Sequence, residues 1–165
     1  MKNNFSEEEA RLIGKAWAFG GVKHEGQLRN EGKPYFESHC VPVYHILSKV
    51  TNDADILCAG LLHDTIEDTD ATYEELCIEF NQRIADLVME VTDEGKADNY
   101  GKYFPRLKTR EGIMIKFADR LHNISSMDSW DIGRQKHYLK KSKFWKSESP
   151  QTSLIRNREI GTTGE

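Results

Sequence analysis

The run Ile56–Leu62, ILCAGLL, is apolar on every side and ends abruptly in HDTIEDTD, residues 63–70. A helix without a polar face has to be wrapped by other elements. The run therefore predicts a buried helix, roughly 53–64, inside a bundle. It is far too short to cross a membrane, and no membrane partner is expected. The charge that follows it has two readings. It is a helix end reaching solvent, or it is a metal site that carries its own acid and base.

The rest of the chain reads as helix almost throughout. Ser6 with Glu9 is a capping-box pair ahead of Leu12, Ile13, Ala16, Trp17 and Phe19 at helical spacing. A Gly/Pro-containing loop, EGQLRNEGKPY, follows, and a second helix starts near His39 with Val43, Ile46, Leu47 and Val50 on its apolar side. Thr72 with Glu75 opens another helix, and further helices are expected over about 82–91, 109–124 and 131–146. TDEGKADNYGKYFP reads as a loop. The expected fold is all-α: one helical bundle over 1–146 and a C-terminal tail over 147–165.

Composition excludes several function classes. At 165 residues, 38% hydrophobic and 30% charged, the chain has enough apolar material for one core. A net charge of −4 supplies no general field for nucleic acid, so any anionic ligand needs local cations. The start MKNNFSEEEARL has no apolar stretch, so no signal peptide is expected. Cys40, Cys58 and Cys77 lack C-x-x-C spacing and read as reduced thiols of a cytoplasmic protein.

The ionisable residues need a closer look. Adjacent helical residues point about 100° apart, so His63 and Asp64 share an ion only if it sits beside the helix at their level. Glu67 and Asp68 follow one turn on, near the same edge. Further ligands have to come from other helices, with His39 and Asp119 as candidates. On the helix around 109–124, Ile113, Phe117, Leu121 and Ile124 form an apolar stripe, and Asp119, His122 and Asn123 lie opposite it. Taken alone, Asp119 reads as solvent-facing and His39 as a structural histidine. Together with the His63-Asp64 pair they form the pattern of an HD-type phosphohydrolase. Two imidazoles and two carboxylates suit Mn²⁺, Fe²⁺ or Zn²⁺, and the nitrogens argue against Mg²⁺ and Ca²⁺.

Four blocks carry a family resemblance: HEGQLRNEGKPYFESHCVPVYHIL (24–47), HDTIEDT (63–69), VTDEGK (91–96) and IKFADRLHN (115–123). Over residues 14–146 the chain resembles the hydrolase domain of the RelA/SpoT proteins. In size it is similar to the stand-alone small alarmone hydrolases such as the metazoan SpoT homologue, and no synthetase domain is expected within 165 residues. The resemblance implies Mn²⁺-dependent hydrolysis of the stringent-response alarmone (p)ppGpp at its 3′ position, giving pyrophosphate and GDP or GTP. One Mn²⁺ is implied, with Fe²⁺, Co²⁺ or Zn²⁺ as substitutes. His39, His63, Asp64 and Asp119 match the metal ligands, and Glu67 and Asp68 the catalytic carboxylates. Arg29 matches a guanine contact, Asn123 a nucleoside contact, and Ser126 a position near the ribose.

Substrate charge has to be met by nearby cations, with Lys33 and Lys96 as the candidates beside Arg29 and with Lys23, Lys116 and Arg120 close in sequence to the motifs. The basic run over 131–146 reads as a solvated face, with a lid over the pyrophosphate or a partner surface as alternatives. Tyr138, Phe144 and Trp145 would dock it on the core. The chain departs from the family pattern twice. PYFESH has one more residue between Tyr35 and His39 than usual, which predicts an altered loop near the metal. Ser125 stands where an arginine is common, which removes a positive charge near the phosphates. A nucleotide phosphatase acting on NADPH or on another ribose 2′- or 3′-phosphate is the alternative, and a non-catalytic nucleotide-binding module is a third reading. A homo-oligomer is compatible with all of them.

Overall fold

A computed structural model describes residues 4–98, 101–102 and 104–146; the tail expected over 147–165 lies outside them. Helix starts follow local chemistry. Helix α1 (Glu7–Lys23) opens on a closed capping box: the Glu9 N–H donates to Ser6 Oγ (3.1 Å) and the Ser6 N–H to Glu9 Oε1 (3.0 Å). Asp53 caps α3 (Ala54–Leu62) and Thr72 caps α5 (Tyr73–Glu79). Asn81 caps α6 (Gln82–Val91), Thr109 caps α7 (Arg110–Ser125) and Asp131 caps α8 (Ile132–Lys141). Each side-chain oxygen accepts from an N–H that the first turn leaves unpaired. Two further helices, α2 (Val41–Ser48) and α4 (Thr65–Asp68), complete the set among the described residues.

Helix α3 is the centre. Ala54 and every residue from Ile56 to Leu62 are buried, with α1, α2, α6 and α7 packed around them. Gly60 lets α2 come close: a Cβ there would meet Leu47 Cδ1 at 2.5 Å. The close α2–α3 approach thus sits one turn before His63. No described helix is long and apolar enough to cross a membrane.

Three expectations are corrected. The loop after α6 contains a small antiparallel hairpin, β1 (Ala97–Asp98) with β2 (Gly101–Lys102), in an otherwise helical protein. The predicted stripe of α7 is only in part its core face: Ile113 is buried, but Phe117 is 39% and Leu121 54% exposed, whereas Ile115, Lys116, Ala118, Asp119 and Arg120 are buried. The helix turns its polar side inward because Asp119 meets buried histidines there, and Phe144 and Trp145 pack on Phe117 from outside. On the second helix, Val43 and Leu47 are buried, but Val50 lies past the helix end and is exposed. Helix α8 has no buried residue; Tyr138 ties it inward by accepting from Arg120 (3.2 Å).

Buried Glu90 links α6 to the start of α7. Its Oε2 accepts from the Thr109 N–H (3.1 Å), Thr109 Oγ1 (2.9 Å) and the Lys108 N–H (3.3 Å). Glu90→Ala strands these donors and is expected to lower stability by about 2–3 kcal/mol, read as a shift in the urea unfolding midpoint.

Candidate metal and catalytic site

Three segments deliver the site. Helix α3 stops at Leu62, and Asp64 (φ −101°, ψ 1°) lies outside the α region before α4 begins. The helix expected over 53–64 is therefore interrupted at its end. The break is what lets neighbouring side chains face one point. It is held by Thr65 Oγ1, which donates to the Leu62 carbonyl (2.7 Å).

The second segment is a π turn, Phe36–Cys40, closed by the Val41 N–H donating to the Phe36 carbonyl. The extra residue between Tyr35 and His39 was expected to reshape a loop. The segment is helical instead, and its wider π turn holds one residue more than an α turn. The third segment is α7, whose inward face presents Asp119.

These segments bring His39, His63, Asp64 and Asp119 together. His39 Nε2 lies 3.2 Å from His63 Nε2, 3.0 Å from Asp119 Oδ1 and 3.4 Å from Asp64 Oδ2. His63 Nε2 lies 3.0 Å from Asp64 Oδ2 and 3.6 Å from Asp119 Oδ1. His63 Nδ1 donates to the Gly60 carbonyl (2.8 Å), which leaves its Nε2 without a proton when the ring is neutral. His39 Nδ1 meets His122 Nδ1 at 2.9 Å. Burial first, then the neighbouring His39 and Arg29, push His122 down to about 4, so at neutral pH it is uncharged and its Nδ1 is able to accept from His39. Each Nε2 atom then faces an oxygen of both carboxylates. Donors around one divalent ion at about 2.1 Å lie roughly 3.0–3.4 Å apart. The donor set fits such an ion.

Without a cation, the acids and bases of the cluster charge each other. Burial opposes charge on His63 and His39, but Asp64 and Asp119 outweigh it and both pKa values are raised. Burial likewise opposes ionisation of the two carboxyls. His63 and His39 hold Asp64 well below the usual range, and Lys116 with the two histidines does so for Asp119. Lys116 is itself buried 3.5 Å from Asp119 and lies over the Phe104 ring at 4.1 Å. Arg120, also buried, stands 3.8 Å from Asp119.

Glu67 and Asp68 sit at the rim, within 4.8 Å of Asp64 as a group of three carboxylates. The Asp93 N–H donates to Glu67 Oε1 (2.7 Å), so the VTDEGK block reaches the site through its backbone. Asp68 is exposed. Lost hydration beside its neighbours, and then the Asp64 charge, push its carboxyl up. Gln27 donates to Asp68 at 3.4 Å.

Beside the cluster, Arg29 reaches across 94 residues of sequence to Asn123 Oδ1 (2.8 Å) and also donates to Ser126 Oγ (3.1 Å). A cavity of about 280 Å³ opens here, lined in part by Arg29, Lys33, Ser38, His122 and Ser126. Lys33 is one of its lining residues and pairs with Glu31 (3.6 Å). Lys96 pairs with Glu94 (3.5 Å), and no contact between Lys96 and the cluster is seen among the described residues. Lys23 pairs with Asp70 and Glu75. Ser125 is exposed and turns its hydroxyl back to the His122 carbonyl (2.8 Å).

Sequence reasoning passed over two residues. His122 was placed on the polar side of its helix but given no role. Tyr35 donates to Asp64 Oδ2 (2.6 Å) and was read only as part of a loop motif. The signal for each was its place inside a quoted block. Partners that orient metal-binding groups tune affinity, so Tyr35→Phe is expected to weaken divalent-metal binding about 10-fold, measurable by calorimetric titration.

The chain is similar to known proteins in sequence and in fold. Residues 16–144 match the family described as HD domain. The guanosine-3′,5′-bis(diphosphate) 3′-pyrophosphohydrolase of Aquifex aeolicus is 39% identical over 130 residues, covering 73% of this chain and 18% of that protein. The bifunctional (p)ppGpp synthase/hydrolase SpoT of Escherichia coli is 35% identical over 134 residues, 74% of this chain and 19% of its own. The chain thus spans about a fifth of the length of these relatives. A solved structure of a metazoan ortholog of SpoT, described as hydrolysing ppGpp, superposes with a TM-score of 0.71 at 24% identity, covering 98% of each chain. That last likeness is one of fold.

Proposed function

This chain belongs to the HD-domain family, and from that premise we propose that it hydrolyses (p)ppGpp at the 3′ position, releasing pyrophosphate and leaving GDP or GTP. The observation that carries the proposal is the convergence of His39, His63, Asp64 and Asp119 beside a cavity walled by Arg29 and Ser126. The names of the relatives support the same substrate class. A divalent ion held by those four residues, for which we propose Mn²⁺, would neutralise phosphoryl charge and bring the pKa of water toward neutrality.

The chain's own groups would do the rest. Arg29 offers a planar guanidinium to the guanine, with Asn123 and Ser126 fixing its position. Lys33, on the wall of the same cavity, would supply positive charge to an anionic ligand there. Glu67 takes the proton of the attacking water as the new P–O bond forms. Asp68, whose carboxyl is pushed toward the protonated form, gives its proton to the 3′ oxygen as the old P–O bond breaks. Water and substrate then account for the nucleoside 3′-hydroxyl and pyrophosphate.

Product analysis on ppGpp tests the proposal: pyrophosphate and GDP are expected with Mn²⁺ supplied and neither after chelation. No pyrophosphate anywhere from about pH 6 to 9 would overturn it. A second reading, phosphatase action on NADPH or another ribose 2′- or 3′-phosphate, is favoured by one feature. Ser125 brings no cation to the place where the family pattern has arginine. A panel of these nucleotides assayed beside ppGpp separates the two.

A further inference from the structure

Cys40 has no part in the proposed hydrolysis, yet it is fully buried against the cluster. Its Sγ, a His63 ring nitrogen and an Asp64 carboxylate oxygen lie within 4.8 Å of one another. Cys58 and Cys77 enter no such group among the described residues. The π turn explains the placement. Cys40 is its last residue, directly after His39, and a wider turn rotates the chain less per residue than an α-helix does. Two successive side chains therefore address the same pair, His63 and Asp64.

We propose that Cys40, His63 and Asp64 form a second, overlapping site for a thiophilic divalent cation such as Zn²⁺ or Cd²⁺, and that filling it silences the hydrolytic site. The silencing rests on the function proposed above; the binding does not. Thiolate sulfur selects softer ions, whereas the two-imidazole, two-carboxylate set suits Mn²⁺. His63 and Asp64 belong to both donor groups. With His63 Nδ1 committed to the Gly60 carbonyl, its Nε2 serves one ion at a time. On binding, the thiol releases one proton to solvent and sulfur donates a lone pair to the ion, with no redox change. A thiolate and a carboxylate together balance the charge of the divalent ion.

The test titrates Cd²⁺ into the full chain, with thiol-free reductant, and follows the ultraviolet thiolate-to-cadmium charge-transfer band. The band is expected at one Cd²⁺ per chain, to persist in Cys58→Ala and Cys77→Ala, and to be lost in Cys40→Ala and in the near-isosteric Cys40→Ser. Helical circular dichroism of both Cys40 variants separates loss of the ligand from loss of the fold. Mn²⁺ is expected to give no band. In the pyrophosphate assay, Cd²⁺ is expected to stop the Mn²⁺-supported reaction of the unmodified chain and to do so less in Cys40→Ser. A band that survives both Cys40 substitutions, or no band in the unmodified chain, overturns the site. Hydrolysis with Mn²⁺ but no Cys40-dependent band removes this proposal and leaves the function. The band without hydrolysis under any metal condition does the opposite.

Discussion

Asp64→Ala is expected to lose the metal and the hydrolytic activity together while keeping the helical fold. Asp64 Oδ2 faces both histidine Nε2 atoms, at 3.0 and 3.4 Å, and is the cluster's link to Tyr35. Removing it takes away one of two anionic donors at the cluster, and His39, His63 and Asp119 remain. Affinity for Mn²⁺ is expected to fall by about 100-fold or more, beyond the usual effect of losing an orienting partner. Pyrophosphate release should fall with it. The fold should survive because the apolar core around α3 and the caps of α3, α5, α6 and α7 do not use this carboxylate. Metal titration, pyrophosphate assay and circular dichroism on one preparation check all three statements. Retained activity at unchanged Mn²⁺ affinity would refute the metal assignment.

Glu67→Gln should separate chemistry from binding. The amide oxygen can still accept from the Asp93 N–H, so the contact between α4 and the VTDEGK loop is kept. What is lost is the ability to take a proton. A fall in kcat of about 10²–10⁴-fold is expected, with Mn²⁺ affinity and KM little changed. An unchanged kcat would assign Glu67 to loop structure and leave the proton transfer to other groups. A large rise in KM alone would make it a substrate contact.

Much of the fold was legible because its signals are local. Ser6, Asp53, Thr72, Asn81, Thr109 and Asp131 each cap the helix that follows within three residues. The apolar continuity of Ile56–Leu62 marked the central helix for the same reason. The α7 stripe misled because periodicity reports where apolar residues lie, not which face the neighbours cover. Lys116, Asp119 and Arg120 are buried against charged or aromatic partners, which hydropathy alone reads as exposure.

The candidate site divides along the same line. Which residue types it contains was written in the blocks at 24–47, 63–69 and 115–123. Their meeting was not. The chain break after Leu62, the π turn over Phe36–Cys40, and the inward roll of α7 each depend on packing between segments tens of residues apart. Arg29 reaches Asn123 for the same reason. Sequence by itself determined most helix starts, the buried centre and the candidate donors, since those follow from capping and burial within a few residues. Only the tertiary structure decided that His39, His63, Asp64 and Asp119 come together and that Cys40 stands next to His63 and Asp64. Distances of 3 Å between side chains are set by how helices pack, not by the order in which residues are joined.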